Sequence, residues 1–428
     1  MTSTRRTCAG ISRDSPRGRS PQEAQEELEV VTRTLGAREF IGRRASFWVV
    51  ATTFGLFLFA AAAPSPLYAV YAGLWHFSAG ALTEVFAVYA IALLVALLFT
   101  GSSSDFVGRR PIILVAIVIQ LASIVLFLVA SGIEWLFAAR IAQGIATGIA
   151  TGALGAALVD LQPPENPALA SLVNSAGPIL SLGIGALASA VLVQYAPDPL
   201  HLIYWVTLFA FIAALVAIAA TPEPGVRRSG VRWVPRISVD RAVRREFVAT
   251  LPILVAGWAV AGFYLSLGPT LASQLAASSN RVLGGLAIFL LADIGAVAIV
   301  ITRVWATTRA MMVGGVILGV GLVLAVAAIA LTSPLLFFAA TALTGVGFGP
   351  AWLGVLRTLV ALAAPTARAA LLAAVFVVAY LALALPAVIA GFLATRIGLH
   401  DAALWYGAGL VVLTFVGVLS TWVVIRRR

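Results

Sequence analysis

Apolar residues run along this chain in long blocks separated by short polar or arginine-bearing stretches, and block length decides what they are. A bilayer hydrocarbon core of ~30 Å is crossed by about 20 helical residues at ~1.5 Å rise each. Twelve blocks reach that length: residues 47–72, 81–100, 112–131, 135–158, 169–193 and 201–220, then 247–272, 282–301, 311–331, 335–360, 369–394 and 402–425. None alternates strictly between polar and apolar positions as a barrel strand does. Each is predicted to be a helix, which satisfies its own backbone hydrogen bonds where water is absent. The fold class is therefore an all-α integral membrane protein with twelve transmembrane helices.

The polar stretches divide the chain into a tail (1–46), a six-helix segment (47–220), a central loop rich in Arg, Pro and Gly (221–246) and a second six-helix segment (247–428). A shift of 201 lays Phe137, Ala138 and Ala139 over Phe338, Ala339 and Ala340, and Gly144 and Gly148 over Gly345 and Gly349. A shift of 203 lays Pro66 over Pro269. Similarity at a near-constant offset indicates two pseudo-symmetric halves, the architecture of many secondary transporters, against the alternative of chance matching in apolar sequence. In the tail, Ser20, Pro21 and Glu23 form a helix-start signal, and Ala24, Leu28, Val31 and Leu35 make a stripe ending at Gly36. That stripe reads either as a surface-lying amphipathic helix or as part of an unstructured tail. The tail lacks the apolar core of a signal peptide.

Composition supports the membrane reading. Of 428 residues 61% are hydrophobic and 11% charged, where soluble domains carry about 25% charge, so a water-soluble fold is excluded. Mean hydropathy is +1.04. The one cysteine, Cys8, excludes a disulfide framework or a multi-cysteine metal site within one chain. The net charge is +11, and all 28 basic residues are arginine. With the amino terminus in the cytoplasm, 24 arginines fall on the inner side, and only Arg281 and Arg396 on the outer. This asymmetry predicts a multi-pass protein of the cell membrane with both termini cytoplasmic. The basic charge then meets anionic lipids, and nucleic acid is not an expected partner. Trp75, Trp135, Tyr204, Trp205 and Trp405 fall at the outer helix ends, and Trp48, Trp305 and Trp422 at the inner ones, as an aromatic belt does.

Between the second and third helices stands Gly101-Ser-Ser-Ser-Asp105-Phe-Val-Gly108-Arg109-Arg110-Pro111. Its glycines permit a tight turn, the acid is a hydrogen-bond acceptor, and the arginines hold the inner face. The segment resembles the signature loop of the major facilitator superfamily, and other motifs extend that resemblance. Arg140, Gln143 and Gly144 resemble the family's arginine-glutamine-glycine element in helix four. Ala63-Pro-Ser-Pro-Leu-Tyr68 and Leu385-Pro-Ala-Val-Ile-Ala-Gly391 resemble segments of bacterial members. Gly177-Pro178 with Gly183 and Gly185 resembles the helix-five element of the drug:proton antiporter branch, departing from it at Val173 and Ser181. The resemblance implies alternating access about a midplane site, and it makes Gly101, Asp105, Gly108, Arg109 and Arg110 a cytoplasmic gate whose acid meets the start of helix eleven near Thr366.

Charges inside the apolar blocks are the sharpest functional clues, since each costs ~2.5 to 3.5 kcal/mol unless paired or wet. Asp293 is the deepest. It reads as a protonation site or counter-charge for a cationic substrate, or as a structural carboxyl reached by Arg357. Arg140 and Glu84 lie at similar depths, which makes an ion pair feasible; the alternative is an arginine snorkelling outward above an interfacial glutamate. Thr147, Ser181, Trp258, Asp293, Phe348 and Tyr380 fall near the midplane and describe an apolar cavity with few polar anchors. Asp293, Arg140, Glu84, Gln143, Trp258 and Tyr380 are thus the candidate substrate or proton site. Glycines and serines at 144, 148 and 152, and at 177, 181, 185 and 189, form small-residue faces for close helix approach.

No phosphate-cradling loop and no nucleophile–base or metal-ligand set is legible, so neither enzymatic activity nor a cofactor is expected, and a proton gradient is the driving force the sequence suggests. The expected function is a secondary transporter, acting as a monomer, that exports an apolar or cationic small molecule against proton entry into the cell. The alternatives are a proton-coupled importer of a small metabolite and a membrane sensor without transport.

Overall fold

The structure, a computed structural model, describes residues 42–101, 104–166, 168–225, 237–364 and 367–426. The apolar stripe of residues 20–36, Cys8 and much of the central loop lie outside the described residues. The helices are α1 (Arg43–Ala62), α2 (Tyr68–Trp75), α3 (Ala79–Thr100), α4 (Ser104–Val107), α5 (Arg109–Leu128), α6 (Ile133–Leu161), α7 (Leu169–Tyr195) and α8 (Leu202–Ala220). The remainder are α9 (Arg244–Ser266), α10 (Gly268–Leu275), α11 (Val282–Thr302), α12 (Thr307–Ala330), α13 (Pro334–Leu362), α14 (Arg368–Ile397) and α15 (Leu399–Arg426). Twelve of these are long and apolar enough to cross a membrane, as the hydrophobic blocks predict. Starts are set by local chemistry: Ser78 Oγ accepts from Ala81 N at 3.2 Å, and Ser333 Oγ from Leu336 N at 3.4 Å.

Two blocks expected as single helices are interrupted. The block 47–72 breaks between α1 and α2 because Pro64 and Pro66 have no N–H to donate. Ser65 N turns instead to Ala62 O at 3.0 Å, and Leu67 N to Pro64 O at 3.0 Å. The carbonyls of Ala60, Ala61 and Ala63 are thereby left without a helical donor. The block 247–272 is interrupted at Leu267, just before Pro269 at the start of α10.

The same close packing occurs twice. A Cβ on Gly144 or Gly148 would overlap the α3 backbone at Tyr89 or Leu93. A Cβ on Gly345 or Gly349 would overlap the α11 backbone at Leu291 or Gly295. These four glycines are the ones that superpose at a shift of 201, so the sequence repeat corresponds to a repeated helix contact. The first six spans meet the last six along α7 against α11 and α3 against α14. At the arginine-poor end both lines are tight: a Cβ on Gly391 would overlap Thr83, and Arg281 N donates to Gln194 Oε1 at 2.8 Å.

Candidate functional site

Asp293 lies on α11 about 16 Å by rise from its first residue, Val282, and about 14 Å from its last, Thr302. It is 5% exposed. Both carboxyl oxygens are buried, and neither has a hydrogen-bond partner among the described residues. The group is seated against α7 because residue 183 is glycine: a Cβ there would overlap the Asp293 carboxyl and lie 3.2 Å from Ala292 Cβ. One line along which the two sets of six spans meet therefore carries a buried acid in a glycine notch. Arg357, the expected structural partner, does not reach it. Its Nη1 donates to Arg303 O at 2.8 Å, satisfying a carbonyl at the end of α11, because a long side chain near a helix end finds an acceptor there at less cost than at the midplane.

One helical turn beyond Asp293, Ala296 and Val297 line a cavity of about 610 Å³ shared by α1, α7 and α11. Trp48, Leu56, Phe59, Val173, Leu180 and Ile184 supply most of its apolar wall, with Thr52 and Ser181 as hydroxyls. Trp258 and Tyr380 do not line this cavity. Their rings are 5.3 Å apart, and with Trp352 and Phe376 they form an aromatic cluster on α9, α13 and α14. Phe348 packs between α9 and α11, since Cβ atoms on Gly257 and Gly295 would lie 3.3 and 3.4 Å from its ring.

Arg140 on α6 is fully buried and makes a different set of contacts from the one expected. It takes no carboxylate partner among the described residues, Glu84 included. Its Nε donates to Tyr68 Oη at 2.6 Å, and its Nη1 to Ala61 O at 2.8 Å and Gln143 Oε1 at 2.6 Å. The guanidinium carbon stands 5.1 Å from the Tyr89 ring centre and 5.2 Å from that of Tyr68. Gln143 Nε2 donates to Ala60 O at 3.0 Å, and Ser189 Oγ to Ala63 O at 2.6 Å. Each carbonyl freed by the proline break thus receives a side-chain donor from α6 or α7. A planar guanidinium meets several converging acceptors, which is why carbonyls and a phenol can replace a carboxylate here.

At the arginine-bearing end, Gly108 has φ 113°, a conformation that favours glycine. Arg109 Nε donates to Asp160 Oδ2 at 3.1 Å and its Nη1 to Ser104 Oγ at 2.7 Å. Glu223 accepts from Arg109 N at 2.6 Å and from Arg110 N at 3.3 Å, and the Arg110 side chain donates to Ala219 O. The signature loop is therefore tied to the ends of α6 and α8. Asp160 and Glu223 were not among the sequence candidates, although an acid beside an arginine cluster at a span end is a signal for them. The side chain of Asp105 and residue Thr366 lie outside the described residues.

No curated protein matches by sequence. Among solved structures, a bacterial homolog of the human lysosomal transporter Spinster, in an inward-facing and unoccupied conformation, superposes with a TM-score of 0.70 at 12% identity over 92% of this chain and 99% of its own. The human organic anion transporter MFSD10 (TETRAN) superposes with a TM-score of 0.63 at 16% identity, over 88% of this chain and 100% of its own. At such identities the likeness is one of fold. The family model of the Major Facilitator Superfamily matches residues 45–308, which carry the signature loop, the Arg140 cluster and Asp293. The chain belongs to the major facilitator superfamily and is a membrane transporter.

Proposed function

We propose that this protein is a secondary active transporter that works by alternating access and couples proton entry to the export of an apolar or cationic small molecule. The observation that carries the reading is the Asp293 carboxyl, buried and unpartnered where α7 meets α11. An ionised carboxylate enclosed by apolar atoms without a partner is disfavoured by several kcal/mol, so the closed contact accommodates the neutral acid. Parting α7 from α11 admits water or a cation, and the acid then gives up its proton. One group therefore links proton occupancy to helix separation, which is what exchange of a proton for a substrate requires. The aromatic cluster of Trp258, Trp352, Phe376 and Tyr380 supports a substrate with a large hydrophobic surface, and the helix-five glycines support the drug:proton antiporter branch. The arginine distribution supports a cell-membrane protein with cytoplasmic termini.

The experiment is flux of a panel of lipophilic amines and neutral compounds in proteoliposomes, with and without an imposed proton gradient. The wild type is expected to accumulate at least one compound only with the gradient. Asp293→Asn keeps the size and a hydrogen-bonding head but cannot release a proton, and is expected to abolish gradient-driven accumulation in a folded protein. Near wild-type accumulation by that variant would refute the coupling role.

A further inference from the structure

The cavity among α1, α7 and α11 lies on a flank that stays exposed over much of the length of α7. Leu180, Ile184, Val191 and Tyr195 fall on one helical face and are 40, 43, 39 and 70% exposed. On α11, Val297, Val300 and Ile301 are exposed in the same way. Leu180, Ile184, Val297 and Val300 belong both to these stripes and to the cavity wall. In a chain that spans a bilayer, a continuous exposed apolar stripe faces lipid, so the cavity opens sideways into the leaflet on the arginine-bearing side. From Leu172 to Ile184 its wall on α7 runs about 18 Å, with the hydroxyls of Thr52 and Ser181 among its lining side chains.

Two cations stand at the ends of α1 and α11 that border the mouth. Arg44 precedes Trp48 by one turn on the same face of α1, and Arg303 follows Val300 at the end of α11; both are exposed. Of the acids at this end, Asp160 is engaged by Arg109 at 3.1 Å, Glu223 accepts from the Arg109 and Arg110 backbone, and Glu165 stands in the loop before α7. The carbonyl of Arg303 is satisfied by Arg357, which offsets the negative end of α11. An apolar slot of this length with cations at its mouth and no charge along its wall matches an alkyl chain with an anionic head.

We propose that the cavity holds one acyl chain of an anionic membrane lipid, with its phosphate between Arg44 and Arg303. The site is independent of the coupling role of Asp293, so either can fail alone. Trp48, half exposed at the mouth, is the reporter. The full-length protein is reconstituted in phosphatidylcholine vesicles containing either phosphatidylglycerol or phosphatidylcholine with brominated chains at the same mole fraction. The Trp48 signal is the difference between the wild type and Trp48→Phe.

Brominated phosphatidylglycerol is expected to quench that signal more strongly than brominated phosphatidylcholine. Removing both cations, Arg44→Gln with Arg303→Gln, is expected to lower the preference for the anionic lipid about thirtyfold, the equivalent of about 2 kcal/mol at about 1 kcal/mol per arginine. The single variant Arg303→Gln serves if the double one does not fold. Gly177→Leu, at a position where a Cβ meets only Val173 at 3.7 Å, fills the slot and is expected to reduce quenching by both lipids. Equal quenching by the two lipids in the wild type overturns the proposal, as does a preference that survives loss of the arginines. Release of quenching by millimolar inorganic phosphate alone would mark an ion site, and would overturn the assignment to a lipid.

Discussion

A methyl group at residue 183 is the sharpest perturbation the structure offers. The Cβ of Gly183→Ala would occupy space now held by the Asp293 carboxyl and would also press on Ala292 Cβ at 3.2 Å. Either the carboxyl leaves its notch or α7 and α11 part, and overpacking of this kind costs about 1 to 3 kcal/mol. Asp293→Ala removes the obstructing atoms and leaves space in its place. Together the two substitutions should fit each other, because the new methyl fills part of the volume that the carboxyl vacates. A double-mutant cycle is therefore expected to show favourable coupling of about 1 to 3 kcal/mol, the range for residues in direct contact. The assay is equilibrium unfolding of the purified protein in mixed micelles of denaturing and non-denaturing detergent. Additivity within about 0.5 kcal/mol, the behaviour of independent sites, would refute the notch. Gly183→Ala alone is also expected to depress gradient-driven flux, since it disturbs the acid without removing its proton.

Arg140→Lys keeps the charge but cannot donate along several directions at once; leaving Tyr68, Gln143 and the Ala61 carbonyl short of donors is expected to destabilise the protein by about 3 kcal/mol in the same unfolding assay. Ser189→Ala leaves the Ala63 carbonyl unsatisfied and is expected to cost about 1 kcal/mol, with flux falling if the α1 break is rigid by design. On a Cys8→Ser background, a cysteine at Arg396 is expected to react with an impermeant thiol reagent in intact cells and one at Asp240 to be protected; the reverse pattern would invert the orientation.

The spans were legible because a long apolar run has few alternatives in hydrocarbon: helix geometry follows once water is removed. The positions of Arg140 and Asp293 were legible for the related reason that a charge in such a run is conspicuous. Their partners were not. Similar depth suggested a pair between Arg140 and Glu84, but depth along a helix axis does not fix the direction in which a side chain points. The acceptors that Arg140 does use include a backbone carbonyl, which has no residue signature. The signal lay in Pro64 and Pro66, whose missing N–H groups create the unsatisfied carbonyls that α6 and α7 then meet. The lateral cavity was illegible for another reason: it arises between helices, and local hydropathy records no separation between neighbours.

The repeat makes the placement of charge more informative than either residue alone. At a shift of 201, Arg140 falls on Thr341 and Asp293 on Ala92. Thr341 pairs with Tyr264 at 2.7 Å, so the second half makes with two neutral hydroxyls an interior contact that involves a cation in the first. Gly183 falls on Ala384, so the contact of α3 with α14 lacks both the acid and the notch at the matching positions. Of the two lines along which the halves meet, α7 with α11 is thus the one whose stability depends on the charge of a buried group. The other closes on small apolar residues and hydroxyls, with Gly391 against Thr83. On the proposed coupling, a proton arriving at Asp293 would act on one side of the molecule only, and a pair of halves loosened along one edge would rotate about the other.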